Sequence, residues 1–132
     1  MPPDDITPAQ QRNLAALGMW IDSYNAKDRD GLGRVITEDF RLDDPATGTS
    51  ITGRAALSDI AQQVAGLYPD RRITVAQMIP LGESAVAMQG SWDGTAAADP
   101  PSGARQGGAI HRVESMVVEF VEHKIALMRV YR

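Results

Sequence analysis

The sequence predicts an α+β fold, with helices on one face of a largely antiparallel sheet. Apolar residues recur at helical spacing in the first half, at Leu14, Leu17, Ile21 and Tyr24 and again at Leu57, Ile60, Val64 and Leu67. The second half reads as strands, and Arg72–Ile79 alternates with Ile73, Val75, Gln77 and Ile79 on one face. Helices come first and a meander of strands follows, and that order separates α+β from a parallel α/β sheet.

Thr7-Pro8-Ala9-Gln10 opens the first helix: Thr7 caps, Pro8 suits the first helical position, and Gln10 completes a capping box. The spacing predicts a helix over 8–27. Asp28 or Asp30 caps a short second helix over 29–37 that carries Leu32, Val35 and Ile36. A short strand follows at 39–44, then a loop at Ala46-Thr47-Gly48-Thr49-Ser50. The third helix covers 54–67 and ends at Gly66 and Pro69. The remaining strands are Arg72–Ile79, Ser84–Trp92, Ala109–Val121 and Lys124–Tyr131, with turns at Leu81-Gly82-Glu83 and Glu122-His123. The stretch Asp93–Gly108 is rich in Gly, Pro and Ala. It is expected to be a mobile loop, and a lid if it lies at a pocket mouth.

The 132 residues fit one domain over 1–132, with residues 1–6 a loose polar tail. Hydrophobic residues make up 43% and charged residues 23%, as in an ordinary globular protein. The net charge of −4 and the absence of a basic run argue against a nucleic-acid or membrane partner. Without cysteine there is no disulfide, thiol catalysis or thiolate metal site. No signal peptide or long apolar run is visible, so a cytoplasmic location is expected. Phosphate-loop, dinucleotide and zincin motifs are missing. His111 and Glu114 point to opposite faces of their strand, so no metal site is expected.

Acid–base chemistry by carboxylates remains. Phe40, Leu42 and Asp44 sit at i, i+2 and i+4 and share a face. Two of the three are apolar, so the face is inward and Asp44 looks the same way from the strand end, just before Pro45. A carboxylate there costs free energy unless it is paired or partly wet, and it is placed to act as a general base. A turn aspartate before proline is the plainer alternative. In the long strand, Arg112, Glu114, Met116, Val118 and Phe120 share one face and His111, Val113, Ser115, Val117 and Glu119 the other. The first set is bulkier and is the expected inner face, which makes Glu114 a second acid. Trp20 and Tyr24 carry polar tips on an apolar helix stripe, and with Gln77 they are the neutral donors. The expected binding wall is Trp20, Phe40, Leu42, Gln77, Met88, Trp92, Met116 and Val118.

The run Tyr24–Leu32, then Asp39, then Leu42-Asp43-Asp44-Pro45 resembles the opening of SnoaL-like polyketide cyclases and ketosteroid isomerase-like enzymes, members of the nuclear-transport-factor-2-like superfamily. Tyr68-Pro69-Asp70-Arg71-Arg72-Ile73 is similar to the entry to their second strand, and Lys124-Ile125 with Met128–Tyr131 to their closing strand. The resemblance spans about residues 14–131. It implies a cone: a strongly curved sheet and three N-terminal helices around an apolar pocket, commonly as a homodimer. It implies cofactor-free cyclisation, isomerisation or epoxide opening on a polyketide, terpenoid or steroid, with Asp44 as the base, Glu114 as the acid and Tyr24 as a donor. Isomerases of this type hold the oxyanion with a tyrosine and a protonated acid. At those two places the chain has Trp20 and Met116. The rival expectation is a module of the same fold that binds or dimerises without turnover.

Overall fold

The computed structural model describes residues 6–97 and 107–131. Three helices, α1 (Pro8–Ala26), α2 (Arg29–Arg34) and α3 (Arg54–Leu67), accompany six strands: β1 (Ile36–Asp44), β2 (Thr49–Thr52), β3 (Arg72–Leu81), β4 (Ala85–Thr95), β5 (Ala109–Val121) and β6 (Lys124–Tyr131). The strands form one curved, unclosed sheet in the order β2-β1-β6-β5-β4-β3, antiparallel except where β1 runs parallel to β6. The α+β expectation is met, as a cone with the helices against the concave face.

The capping box forms as predicted: Gln10 N donates to Thr7 Oγ1 at 3.1 Å and Thr7 N to Gln10 Oε1 at 3.0 Å. At the other end of α1, Lys27 takes a left-handed conformation (φ 59°) and Asp28 N bonds back to Ser23 O at 2.8 Å, which closes the helix. Asp28 caps α2 by accepting from Gly31 N at 3.0 Å. Glu122 and His123, with φ of 51° and 64°, make the tight turn between β5 and β6.

Several boundaries differ from expectation: β1 begins at Ile36 rather than 39, and β3 runs to Leu81 rather than Ile79. The second helix stops at Arg34, because Ile125 N donates to Val35 O at 2.8 Å and Ile36 pairs with Ile125. Pairing with a strand ninety residues away overrides the local helical pattern. Thr49–Thr52 is a short edge strand paired with β1, although its sequence reads as loop. β4 continues to Thr95, so the connection to β5 begins later; residues 98–106, on which the mobile loop or lid was expected, lie outside the described residues, as do residues 1–5 of the expected tail.

Each strand runs inward-outward, but three ladders slip where one strand carries extra residues, and such bulges bend a sheet. The slip between Val75 and Gln77 draws β3 close to β4. A Cβ at Gly90 would lie 2.3 Å from Thr74 O, so only glycine fits there. The packed core holds Leu17, Ile36, Phe40, Val86, Met88, Val118, Ile125 and Met128, all essentially inaccessible. Phe40 is the largest of these. Phe40→Ala is expected to cost about 3–5 kcal/mol, read as a lower urea midpoint with an unchanged slope.

Candidate active site

The helices leave part of the concave face unfilled, and a cavity of about 430 Å³ remains there. One wall is the apolar stripe of α3, Leu57, Ile60, Ala61, Val64 and Leu67. Opposite it stand Trp20 and Tyr24 from α1, Leu42 and Asp44 from β1, Ile73 and Trp92 from β3 and β4, Arg112, Glu114 and Met116 from β5, and Val130 from β6. A wider groove between α2 and the start of α3 carries charges of both signs and shares only Leu57 with this cavity.

Asp44 ends β1 with its side chain inward and is 6% exposed. The alternation that places Phe40 inside therefore places Asp44 inside too. Glu114 is 9% exposed, on the face of β5 expected to be inner. Asp43 points away and is held by Arg41 at 2.8 Å and Ser50 at 2.9 Å, contacts that keep its carboxyl below the usual range.

Tyr24 sits at the centre of an aromatic and cationic cluster. Its hydroxyl oxygen accepts from Trp92 Nε1 at 2.8 Å. Its ring stacks on Trp20 with centroids 5.4 Å apart, and the buried Arg71 guanidinium lies over it at 4.0 Å while donating to the Tyr24 carbonyl at 2.9 Å. Trp92 in turn meets Tyr68 edge-on at 5.1 Å and carries Arg112 over its face at 4.7 Å. Burial pushes the Tyr24 phenol above its ordinary pKa, against the opposing pull of the Trp92 hydrogen bond and the Arg71 charge. Because the oxygen already accepts from Trp92, the phenol proton is the part left for another partner. A Cβ at Gly94 would lie 2.9 Å from the Trp92 ring and 3.1 Å from Tyr68 Cβ, so glycine there makes room for the edge-on pair. The Trp20 indole N–H is buried and has no hydrogen-bond partner among the described residues.

Of the residues expected from sequence, Asp44, Glu114, Tyr24, Trp20, Leu42, Trp92 and Met116 all line this one cavity. Four do not. Phe40, Met88 and Val118 point inward but lie in the filled part of the core with Leu17 and Met128. Alternation tells which face is inner, not whether the space before it is filled. Gln77 is exposed and bonds Gln89 across the strands at 2.7 Å, because the bulge after Val75 turns its side of β3 outward. Sequence reasoning missed Arg112, Tyr68 and the cavity role of α3. The α3 stripe was visible as apolar spacing, and Arg112 as a member of the inner face, but neither pattern says what the side chains face. No group of His, Asp or Glu among the described residues is arranged to hold a metal.

Three helices against a curved, unclosed, mostly antiparallel six-stranded sheet match the cone fold of the nuclear-transport-factor-2-like class. The SnoaL-like domain profile matches residues 18–128, and the chain belongs to that family. No curated protein matches the sequence. Among solved structures, a candidate SnoaL-like polyketide cyclase of Jannaschia sp. CCS1 superposes with a TM-score of 0.84 at 15% identity, covering 97% of this chain and 90% of that one. IdmH of Streptomyces antibioticus, a candidate polyketide cyclase, gives 0.77 at 17% identity, with 90% of each chain covered. A candidate ketosteroid isomerase of Kribbella flavida gives 0.71 at 20% identity, covering 91% and 76%. These likenesses concern the fold.

The Tyr24 environment is directly measurable. Ultraviolet titration is expected to show one tyrosine ionising above the ordinary range, absent in Tyr24→Phe. In Trp92→Phe that step moves higher still, since the lost donor had favoured the phenolate.

Proposed function

We propose that the protein is a cofactor-free acid–base enzyme acting on a hydrophobic small molecule of the polyketide, terpenoid or steroid kind. The observation that carries this reading is a buried carboxylate, Asp44, in the wall of an apolar cavity that also holds Glu114 and Tyr24. An apolar cavity with a few converging polar groups is the usual form of a small-molecule site.

In this reading Asp44 removes a proton from carbon next to a substrate carbonyl. The electron pair moves onto the carbonyl oxygen, and the Tyr24 hydroxyl donates to that oxygen as charge develops. Isomerisation follows when the carbon proton is returned at another position. Cyclisation follows when the enolate carbon attacks a second carbonyl and Glu114 protonates the new alkoxide. For an epoxide, one ionised carboxylate takes a proton from the attacking water while the other carboxyl group, in its protonated form, gives its proton to the ring oxygen as the C–O bond breaks. Tyr24 suits the donor role because burial keeps its proton on. It lies one turn from Trp20, which occupies the helix position where the family resemblance calls for tyrosine.

Asp44→Asn keeps the shape and removes the base, so turnover of a true substrate is expected to fall roughly 10²-fold or more with little loss of ligand affinity. Asp43→Asn, on the opposite face, is the control and is expected to keep activity. Equal turnover by both variants and the wild type would favour the second reading, a binding module of the same fold. Met116 supports that second reading, since it stands where the family resemblance calls for an acid.

We also propose a homodimer through the outer face of the sheet. Val113, Val121, Ile79 and Tyr131 stand exposed there, Val113 at 71%. Covering such a patch is favourable. Light scattering at micromolar concentration is expected to give twice the chain mass; a monomer mass would count against the dimer.

A further inference from the structure

We propose that Arg112 anchors an anionic oxygen of the ligand, so that the molecules this cavity takes are apolar ring systems with an ionised acid group, a carboxylate or acidic enol, at the end remote from Asp44. The proposal rests on the reading of the cavity as a small-molecule site.

Arg112 is the only cationic side chain lining the cavity among the described residues. Its guanidinium carbon lies over Trp92, 4.7 Å from the ring centroid, and a cation–π contact of this kind restrains where the fork sits. The side chain is 39% exposed, so a ligand can reach it. Its Nε lies 3.7 Å from Glu114 Oε1, close enough to feel the charge but too far for a hydrogen bond. That buried Nε has no hydrogen-bond partner among the described residues. A guanidinium offers five donors, and leaving a buried one unfilled is unfavourable. A carboxylate or two adjacent enolic oxygens would fill two donors at once.

The position separates this anchor from the base. Met116 pairs with Val130, and Val130 follows Arg129, the partner of Asp43, so Met116 and Asp44 stand in one row across the sheet. Arg112 lies four residues along β5 from that row, about 13 Å at the strand rise. A ligand anion at Arg112 therefore avoids Asp44, and a small polycyclic body fits between along the α3 wall. An ammonium ligand suits the site less well. The faces of Tyr24 and Trp92 that would hold one already carry Arg71 and Arg112. In its ionised form Glu114 is the group a ligand anion must compete with for Arg112.

The test uses two probes of the same shape, naphthalene-2-acetate and naphthalene-2-acetamide, titrated at neutral pH against the fluorescence of Trp20 and Trp92. In the wild type the acid is expected to bind roughly tenfold tighter than the amide. Arg112→Gln is expected to remove that preference while keeping amide affinity, which also reports that the variant is folded. Glu114→Gln is expected to strengthen acid binding and leave amide binding unchanged. Equal binding of the two probes by the wild type overturns the proposal without any variant, as does a preference that survives Arg112→Gln. If neither probe binds, the proposal falls together with the reading of the cavity as a binding site. Turnover is not measured, so a failure of Asp44 as base would leave the outcome unaffected.

Discussion

The free edge of β3 has to be closed, and α1 closes it. β3 is the last strand of the sheet, so the backbone groups on its outer edge have no strand to pair with. Asn25, near the end of α1, meets both groups of Ile73: its Nδ2 donates to Ile73 O at 2.9 Å and its Oδ1 accepts from Ile73 N at 2.8 Å. At the other end of the helix, Gln10 Nε2 donates to Gly82 O at 3.0 Å and the buried Asn13 Nδ2 to Glu83 O at 2.8 Å. Asn13 Oδ1 also meets His123 Nδ1 at 3.1 Å, which ties in the turn between β5 and β6. Unpairing the buried Asn13 amide would be costly, and with the Asn25 and Gln10 bonds it leaves the helix few alternative positions. Tyr24 is the neighbour of Asn25, and its place at the cavity follows from that clamp.

The hollow persists because its lining is stiff and partly polar. Trp20, Tyr24, Tyr68 and Trp92 brace one another, and Arg71 and Arg112 cover two of the rings. Collapse of α3 into the space would press Asp44 and Glu114 against its apolar stripe, and burying a carboxylate in such surroundings costs several kcal/mol. The same groups that give the cavity its chemistry thus disfavour filling it. Stability comes from the packed remainder of the core around Phe40 and Met128, so site and core occupy different parts of one concave face.

Much of the arrangement was legible. The capping box, the α1 and α3 stripes, the two last strands and the inward turn of Asp44 and Glu114 all follow from spacing of 3.6 or 2. Those signals are local and are carried by residues a few positions apart. Helix α2 was read too long and β2 was missed because their limits depend on β6 and β1, which the local pattern does not report.

By itself, then, the sequence determined which face of each element is apolar and which polar side chains share that face, since this depends only on backbone periodicity and covalent order. Tertiary structure alone decided three further things. The bulge after Val75 sends Gln77 to solvent, because a one-residue slip reverses every later side chain. The curvature of the sheet divides the inner face, so that Phe40, Met88 and Val118 are packed while Leu42, Asp44 and Met116 line the cavity. And Arg112 meets Trp92, and Trp92 meets Tyr24, through contacts between β5, β4 and α1 that lie 20 to 68 positions apart in the chain. Contacts at such separations depend on strand register and helix placement, which no local pattern contains.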